Sequence, residues 1–191
     1  MGLESGFQGH REMIAMLDSA VRQPTTEEIT GRLKDGMCDL IRSGVVRLPD
    51  PLRRPNPDHY ARRLLYRSDD LGYVVVAMIW GPGQGTALHD HGGTWCVEGV
   101  LEGQIAVTQY DLLEQGGQGW QFRKLDTQLT GVGTAGSLIP PHEYHTIANP
   151  QTSKPAITMH VYGHEMRECR VFQPADEGWY QPCIKSLSYD N

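Results

Sequence analysis

His89 and His91 stand one residue apart in the stretch 80–103, WGPGQGTALHDHGGTWCVEGVLEG. In an extended chain, residues i and i+2 point to the same face. Two imidazoles then lean toward one point, as two ligands of a single metal ion must. Gly81, Pro82, Gly83 and Gly85 mark a bend before the pair, and Gly92 and Gly93 mark one after it. A lone histidine is more often structural than a ligand, so a third is needed. His145 supplies it, in the stretch 140–149, PPHEYHTIAN, which follows a glycine-rich turn and opens another strand.

The rest of the chain must position these residues. Met13, Ile14, Met16, Leu17 and Val21 give an apolar stripe that predicts a helix over 8–23, ended by Pro24. Thr25 and Glu28 form a capping-box pattern, and Ile29, Leu33, Met37, Leu40 and Ile41 carry a second helix to about Ser43. Both are surface helices that bury one face, with Cys38 as a core thiol. Pro49, Pro51, Pro55 and Pro57 make 49–57 a connector without an element. Short strands follow at 60–67, 73–80, 97–101, 104–110, 120–125, 137–139, 145–148, 156–162 and 169–172. Glu102-Gly103 reads as a hairpin turn between two of them. The tail from Gln173 shows no period. Many short strands with Gly and Pro turns indicate a mainly β sandwich or barrel.

At 191 residues the chain is long enough for one good core. A single domain over 1–191 is expected, with a helical part over 1–48, a β core over 58–172 and a tail over 173–191. A net charge of −6 argues against nucleic acid or an anionic membrane surface as partner. No stretch approaches about 18 consecutive apolar residues, so no membrane span is expected. No signal-peptide core precedes the first helix, which points to the cytoplasm. Cys38, Cys96, Cys169 and Cys183 form no C-x-x-C pair and read as reduced thiols.

His89-x-His91, Cys96 and Gly103 together resemble the first cupin motif, with Cys96 where most cupins have a glutamate ligand. Pro140, His145 and Asn149 resemble the second motif, with His142 where glycine is usual. Cysteine in place of that glutamate is similar to the thiol dioxygenases, and to the cysteine dioxygenase family most closely. Tyr60-x-Arg62 is similar to that family's carboxylate-binding tyrosine and arginine. Thr158-x-His160-x-Tyr162 resembles its Ser-x-His-x-Tyr strand, and Cys169 falls where the family has a cysteine near the pocket. The resemblance covers about residues 58–172. It implies a cupin double-stranded β-sandwich barrel with N-terminal helices. It implies Fe(II) on His89, His91 and His145, and a substrate carboxylate on Arg62 helped by Tyr60. Tyr162, His160 and Cys96 are the catalytic candidates. His160 is placed to hydrogen-bond the Tyr162 hydroxyl, and a Cys96–Tyr162 thioether is permitted.

Three neutral imidazoles leave about three positions open on a divalent ion and leave its full charge, which favours a soft anionic donor such as a thiolate. Dioxygen can take the last position, and both oxygen atoms can end on sulfur as a sulfinic acid. Imidazoles suit Zn, Mn, Ni or Cu equally, so iron rests on the resemblance. Some residues depart from the family. Gly163-His164 stands where mammalian-type members have Ser-Pro. Arg167 and Arg170 are alternative anchors, as in relatives that oxidise 3-mercaptopropionate. Those relatives tend to have glutamine where Arg62 stands. His142 is expected in a loop. Glu98 is expected solvated or salt-bridged, a weak rival ligand sharing the face of Cys96. The function implied is oxidation of L-cysteine by dioxygen to cysteine sulfinate. The alternatives are oxidation of another small thiol, such as 3-mercaptopropionate or cysteamine, a non-catalytic metal-binding cupin, and a cupin isomerase or sugar-binding enzyme with zinc or manganese. The sequence leaves the oligomeric state open.

Overall fold

The two apolar stripes form α1 (His10–Val21) and α2 (Thr26–Arg42). Thr25 caps α2, its hydroxyl oxygen accepting the Glu28 N–H at 3.2 Å. The computed structural model describes residues 6–190. The proline-rich connector, expected to hold no element, contains the single turn α3 (Asp50–Arg53). Pro51 lies in its first turn, where no amide hydrogen is needed. Cys38 is half-buried and not in the core, and none of the four cysteines is bridged.

Five antiparallel strands make the first sheet: β1 (Ala61–Arg67), β2 (Val74–Trp80), β4 (Cys96–Glu102), β7 (Ala135–Leu138) and β9 (Ala156–Tyr162), in the order β1-β2-β9-β4-β7. The second consists of β3 (Leu88–His89), β5 (Gln104–Gly116), β6 (Gly119–Gly131), β8 (His145–Ala148), β10 (Glu168–Pro174) and β11 (Trp179–Ser186). Its order is β10-β11-β6-β5-β8-β3, and β3 pairs back onto β10 to close the ring. Mainly β, with two sheets and helices before them, this is the cupin-type barrel that the motifs implied.

The first sheet is buried on both faces. Val74, Val76, Met78, Trp80, Cys96 and Tyr162 point inward and meet Ile105, Ile147 and Cys169 of the second sheet. Val75, Ala77, Ile79, Val97, Met159 and Val161 point outward and meet Met13, Leu17, Leu33 and Met37 of the helices. This double cover explains why β2 and β9 are buried at every position. It also gives the helices their role, since each buried Leu or Met contributes about 1.5–3 kcal/mol. Gly99 sets the fit. A Cβ there would lie 2.9 Å from Ile41 Cδ1 and 3.1 Å from Met37 Cε.

Two expectations are corrected. Glu102-Gly103 is not a hairpin turn. β4 pairs with β9 and β7, whereas β5 pairs with β6 and β8, so the chain crosses here from one sheet to the other. Gly103 turns that corner at φ 76°, with its would-be Cβ 3.0 Å from the Ala156 Cβ. The tail is not irregular either. β11 pairs with β10 from Glu168–Ser186 to Pro174–Tyr180 and touches β6 at Trp179–Gln121. Its side chains are mostly exposed, so no period-two apolar pattern marks it in the sequence. Residues 187–190 then return to β1, where the Asp190 N–H donates to Arg62 O at 2.7 Å.

Candidate metal centre

His89 on β3 lies directly opposite His145 on β8, and facing residues on paired strands share a side. His91 follows just beyond the end of β3. Asp90 fixes the loop between them. Its Oδ1 accepts the N–H groups of Arg170 at 2.8 Å and Gly92 at 3.2 Å, while Oδ2 meets Arg170 Nη1 at 3.3 Å. The three imidazole centroids are 5.3 Å (His89–His91), 4.6 Å (His89–His145) and 5.0 Å (His91–His145) apart. One ring nitrogen from each lies within 4.8 Å of the others. Burial lowers the pKa of His89, and lowers those of His91 and His145 well below the usual histidine value. All three are therefore neutral at neutral pH and offer lone pairs. Buried Nδ1 atoms of His91 and His145 have no protein partner among the described residues. His89 Nδ1 lies 3.1 Å from Ala87 O; if it donates there, Nε2 is left as the ligand atom. Such a set fits a divalent ion.

Beside the histidines, β9 and β4 place a second group. Cys96 is the direct cross-strand partner of Tyr162, and Glu98 that of His160. Trp80 Nε1 donates to Thr158 Oγ1 at 2.9 Å, and Thr158 Oγ1 lies 2.7 Å from His160 Nε2. Indole is a donor only, so Thr158 Oγ1 accepts from Trp80 and links it to the His160 ring. The ring's Nδ1 faces Glu98 Oε2 at 3.4 Å and Cys96 Sγ at 3.9 Å. The expected hydrogen bond from His160 to the Tyr162 hydroxyl gives way to a stack, with centroids 6.0 Å apart at 16°.

Glu98, expected to be solvated or salt-bridged, is 8% exposed and faces the His160 ring. It lies on the inner face of a central strand. Burial raises its pKa to about 8, lowers that of His160 to about 3, and pushes the Cys96 thiol well above the usual range. Cys96, Glu98 and His160 also bring donor atoms within 4.8 Å of one another. Metal ligands must shed their protons. Burial raises the pKa of Glu98 and Cys96 and lowers those of the three histidines, so the histidines are the readier ligand set. The sequence carried a signal for Glu98: a charged residue on the same face as Cys96 and Val100.

Arg62 pairs with Met78, so it points inward while Arg63 points out. It is 5% exposed. Nη1 donates to Ser188 O at 3.3 Å, and the guanidinium lies 5.2 Å from the Tyr189 ring centre. Nε is buried without a partner among the described residues. Tyr60 stacks on Trp80 at 4.6 Å. Tyr60, Arg62, Lys185 and Ser188 line an open cavity of about 330 Å³. The alternative anchors are engaged elsewhere: Arg167 is exposed and pairs with Glu165 at 3.3 Å, and Arg170 holds Asp90. His142 is exposed in a loop, as expected. Gly163 has a packing reason, since a Cβ there would lie 2.7 Å from Trp95 Nε1. Asn149 links the strand ends, its Nδ2 donating to Trp80 O at 3.1 Å and Lys154 O at 2.9 Å.

Residues 55–175, which include every residue of this site before β11, match the family cysteine dioxygenase type I. The chain belongs to the cysteine dioxygenase type I family. Among curated relatives it is similar to cysteine dioxygenase type 1 of Danio rerio, 26% identical over 109 residues, covering 52% of this chain and 49% of that protein. It is similar to the Rattus norvegicus cysteine dioxygenase type 1, 21% identical over 113 residues, covering 59% of this chain and 55% of that protein. The chain thus spans about half the length of the curated relatives it matches. Similar solved structures include TT1209 from Thermus thermophilus, with 24% identity, TM-score 0.45, and coverage of 61% of this chain and 94% of that one. Another is a cupin 2 conserved barrel domain protein from Salinispora arenicola, with 16% identity, TM-score 0.42, and coverage of 61% and 86%.

Proposed function

We propose that this family member is an Fe(II)-dependent thiol dioxygenase that oxidises L-cysteine with dioxygen to cysteine sulfinate. The observation that carries the reading is the convergence of three neutral imidazoles, in a barrel that also holds a buried, inward-pointing Arg62 whose Nε has no partner among the described residues. In this reading residues 1–191 form one domain, and His89, His91 and His145 hold the iron. When bound, the iron supplies a cation with open positions for a thiolate and dioxygen.

The chain's own residues do the rest. Arg62 holds the substrate carboxylate through Nε, helped by Tyr60 at the cavity wall. Tyr162 keeps its phenolic proton, because burial raises its pKa well above the usual value, and offers that O–H as a donor beside the reacting groups. His160 positions Tyr162 by stacking on it and is held in turn by Thr158. The core between the sheets keeps water from the inner side of the site. Cys96 and Tyr162 are both buried and are direct cross-strand partners, which supports a thioether between them. The crosslinked protein would weigh two hydrogens less by intact mass, and Tyr162→Phe would keep the full mass. Four unbridged cysteines suit a reducing cytoplasm.

A second reading is oxidation of 3-mercaptopropionate. Burial of Arg62, with Arg167 and Arg170 tied to acids, favours cysteine. Oxygen uptake by the iron-loaded protein, run separately with each thiol, decides between them. Preference for cysteine is expected. Preference for 3-mercaptopropionate would move the substrate assignment, and uptake with neither would leave a metal-binding cupin without this activity.

A further inference from the structure

Residues 187–190 lie beyond the stretch that matches the family, yet they hold the arginine proposed to bind the substrate carboxylate. β1 is an edge strand of the first sheet, and Arg62 pairs there with Met78 on β2. The Arg62 N–H and C=O face away from β2, and one residue takes both. Asp190 Oδ2 accepts the N–H at 2.8 Å, and the Asp190 N–H donates to the carbonyl at 2.7 Å. Unpaired backbone groups on a sheet edge need such a cover. Asp190 is held in turn by Asn56, whose Nδ2 donates to Oδ1 at 3.1 Å.

The same segment grips the side chain. Ser188 O accepts from Arg62 Nη1 at 3.3 Å, and the Tyr189 ring centre lies 5.2 Å from the guanidinium carbon, within cation–π range. Tyr189 is itself held. Its hydroxyl donates to Glu165 Oε1 at 3.3 Å, and that acid is paired with Arg67 and Arg167. Leu187 and Tyr189 pack on the core between the sheets, and the Leu187 N–H donates to Arg167 O at 2.8 Å. A guanidinium is a rigid planar fork, so fixing Nη1 and covering one face fixes where the other donors point. Nε is the donor left without a partner among the described residues. Leu187, Ser188 and Asp190 line the same cavity of about 330 Å³ as Arg62 and Tyr60.

We propose that residues 187–190 are the positioning segment of the carboxylate site, with Ser188 and Tyr189 holding the Arg62 guanidinium so that its Nε side stays open to a carboxylate. The proposal rests on Arg62 as the anchor in the proposed function. L-Cysteine and cysteamine differ only in the carboxylate, so the ratio of their affinities reads that anchor. Binding of each to the metal-loaded protein is measured by calorimetry without dioxygen, so that no turnover is required. Wild type is expected to prefer cysteine, and Arg62→Ala to lose the preference. Tyr189→Leu should cut it about fivefold, because the guanidinium regains rotamers that the ring excludes. Cysteamine affinity and metal content should stay unchanged. Tyr189→Phe keeps the ring face and should restore the preference. A full preference in Tyr189→Leu, with Arg62→Ala lacking it, would overturn the positioning role and leave the anchor standing. So would a Tyr189→Phe no better than Tyr189→Leu. An equal loss of both thiols in Tyr189→Leu would mark a merely structural tail and also overturn it. No preference in wild type, or one that survives Arg62→Ala, would sink the anchor and the proposal with it.

Discussion

Replacing Arg62 by alanine separates substrate binding from metal binding. Its guanidinium is buried, and Nε has no other partner among the described residues. Losing one side of a buried, hydrogen-bonded charge pair costs about 2 kcal/mol or more, which corresponds to about 30-fold in affinity. KM for L-cysteine should rise by that factor while iron content, measured by metal analysis, stays at the wild-type level. Loss of iron would contradict the assignment. Glu98 gives a pH signature. Its pKa stands near 8 in the folded protein against an ordinary 4.5. Between those values the folded state keeps a proton that the unfolded state releases, so this group's contribution to stability falls as pH rises. Glu98→Gln removes the titration. Its melting temperature relative to wild type should climb from about pH 5 to about pH 8. A constant difference over that range would show an ordinary carboxylate. The His89–His91 pair was legible in its spacing and His145 in the glycine and proline context of its stretch, whereas Arg62 was legible only through the family resemblance. The place of Glu98 on the face of Cys96 was readable but its burial was not, since a charged residue in a strand reads as solvated until the strand's neighbours are known.

At the scale of elements, the fit of α2 on the first sheet rests on Gly99, where a Cβ would come within 2.9 Å of Ile41. Gly99→Val should cost about 1–3 kcal/mol in denaturant unfolding, by overpacking a filled interface. No loss would mean that the helix does not seat there. Both long helices and the central strands were readable, because their apolar periods are strong and their ends carry a cap or a proline. β11 was not readable, having one exposed face and Pro182 within it. The change of sheet at Gly103 was also hidden. A glycine turn between two strands looks the same in sequence whether the strands pair with each other or join different sheets.

For the whole molecule, the strand count and Gly/Pro turns gave a β barrel, and the motif residues gave its kind. The purpose of the N-terminal helices emerged only from packing: the first sheet needs cover on its outer face. The proposed metal centre draws on β3, β8 and the loop between β3 and β4, so an ion held there would tie distant parts of the chain together. A ligand bound only by the folded state adds about 2.7 kcal/mol at a hundredfold excess over its Kd. Fe(II) should therefore raise the melting temperature of wild type and leave His145→Ala unmoved. An equal rise in both would place the ion elsewhere. In the proposed function the three-histidine site carries out a dioxygenation of L-cysteine. Its most direct test is turnover of the iron-loaded protein with L-cysteine under isotopically labelled dioxygen, with the product read by mass spectrometry. Cysteine sulfinate with both sulfinate oxygens from dioxygen is expected, and no sulfinate from His145→Ala. Cystine as the sole product, or sulfinate oxygen drawn from water, would contradict it.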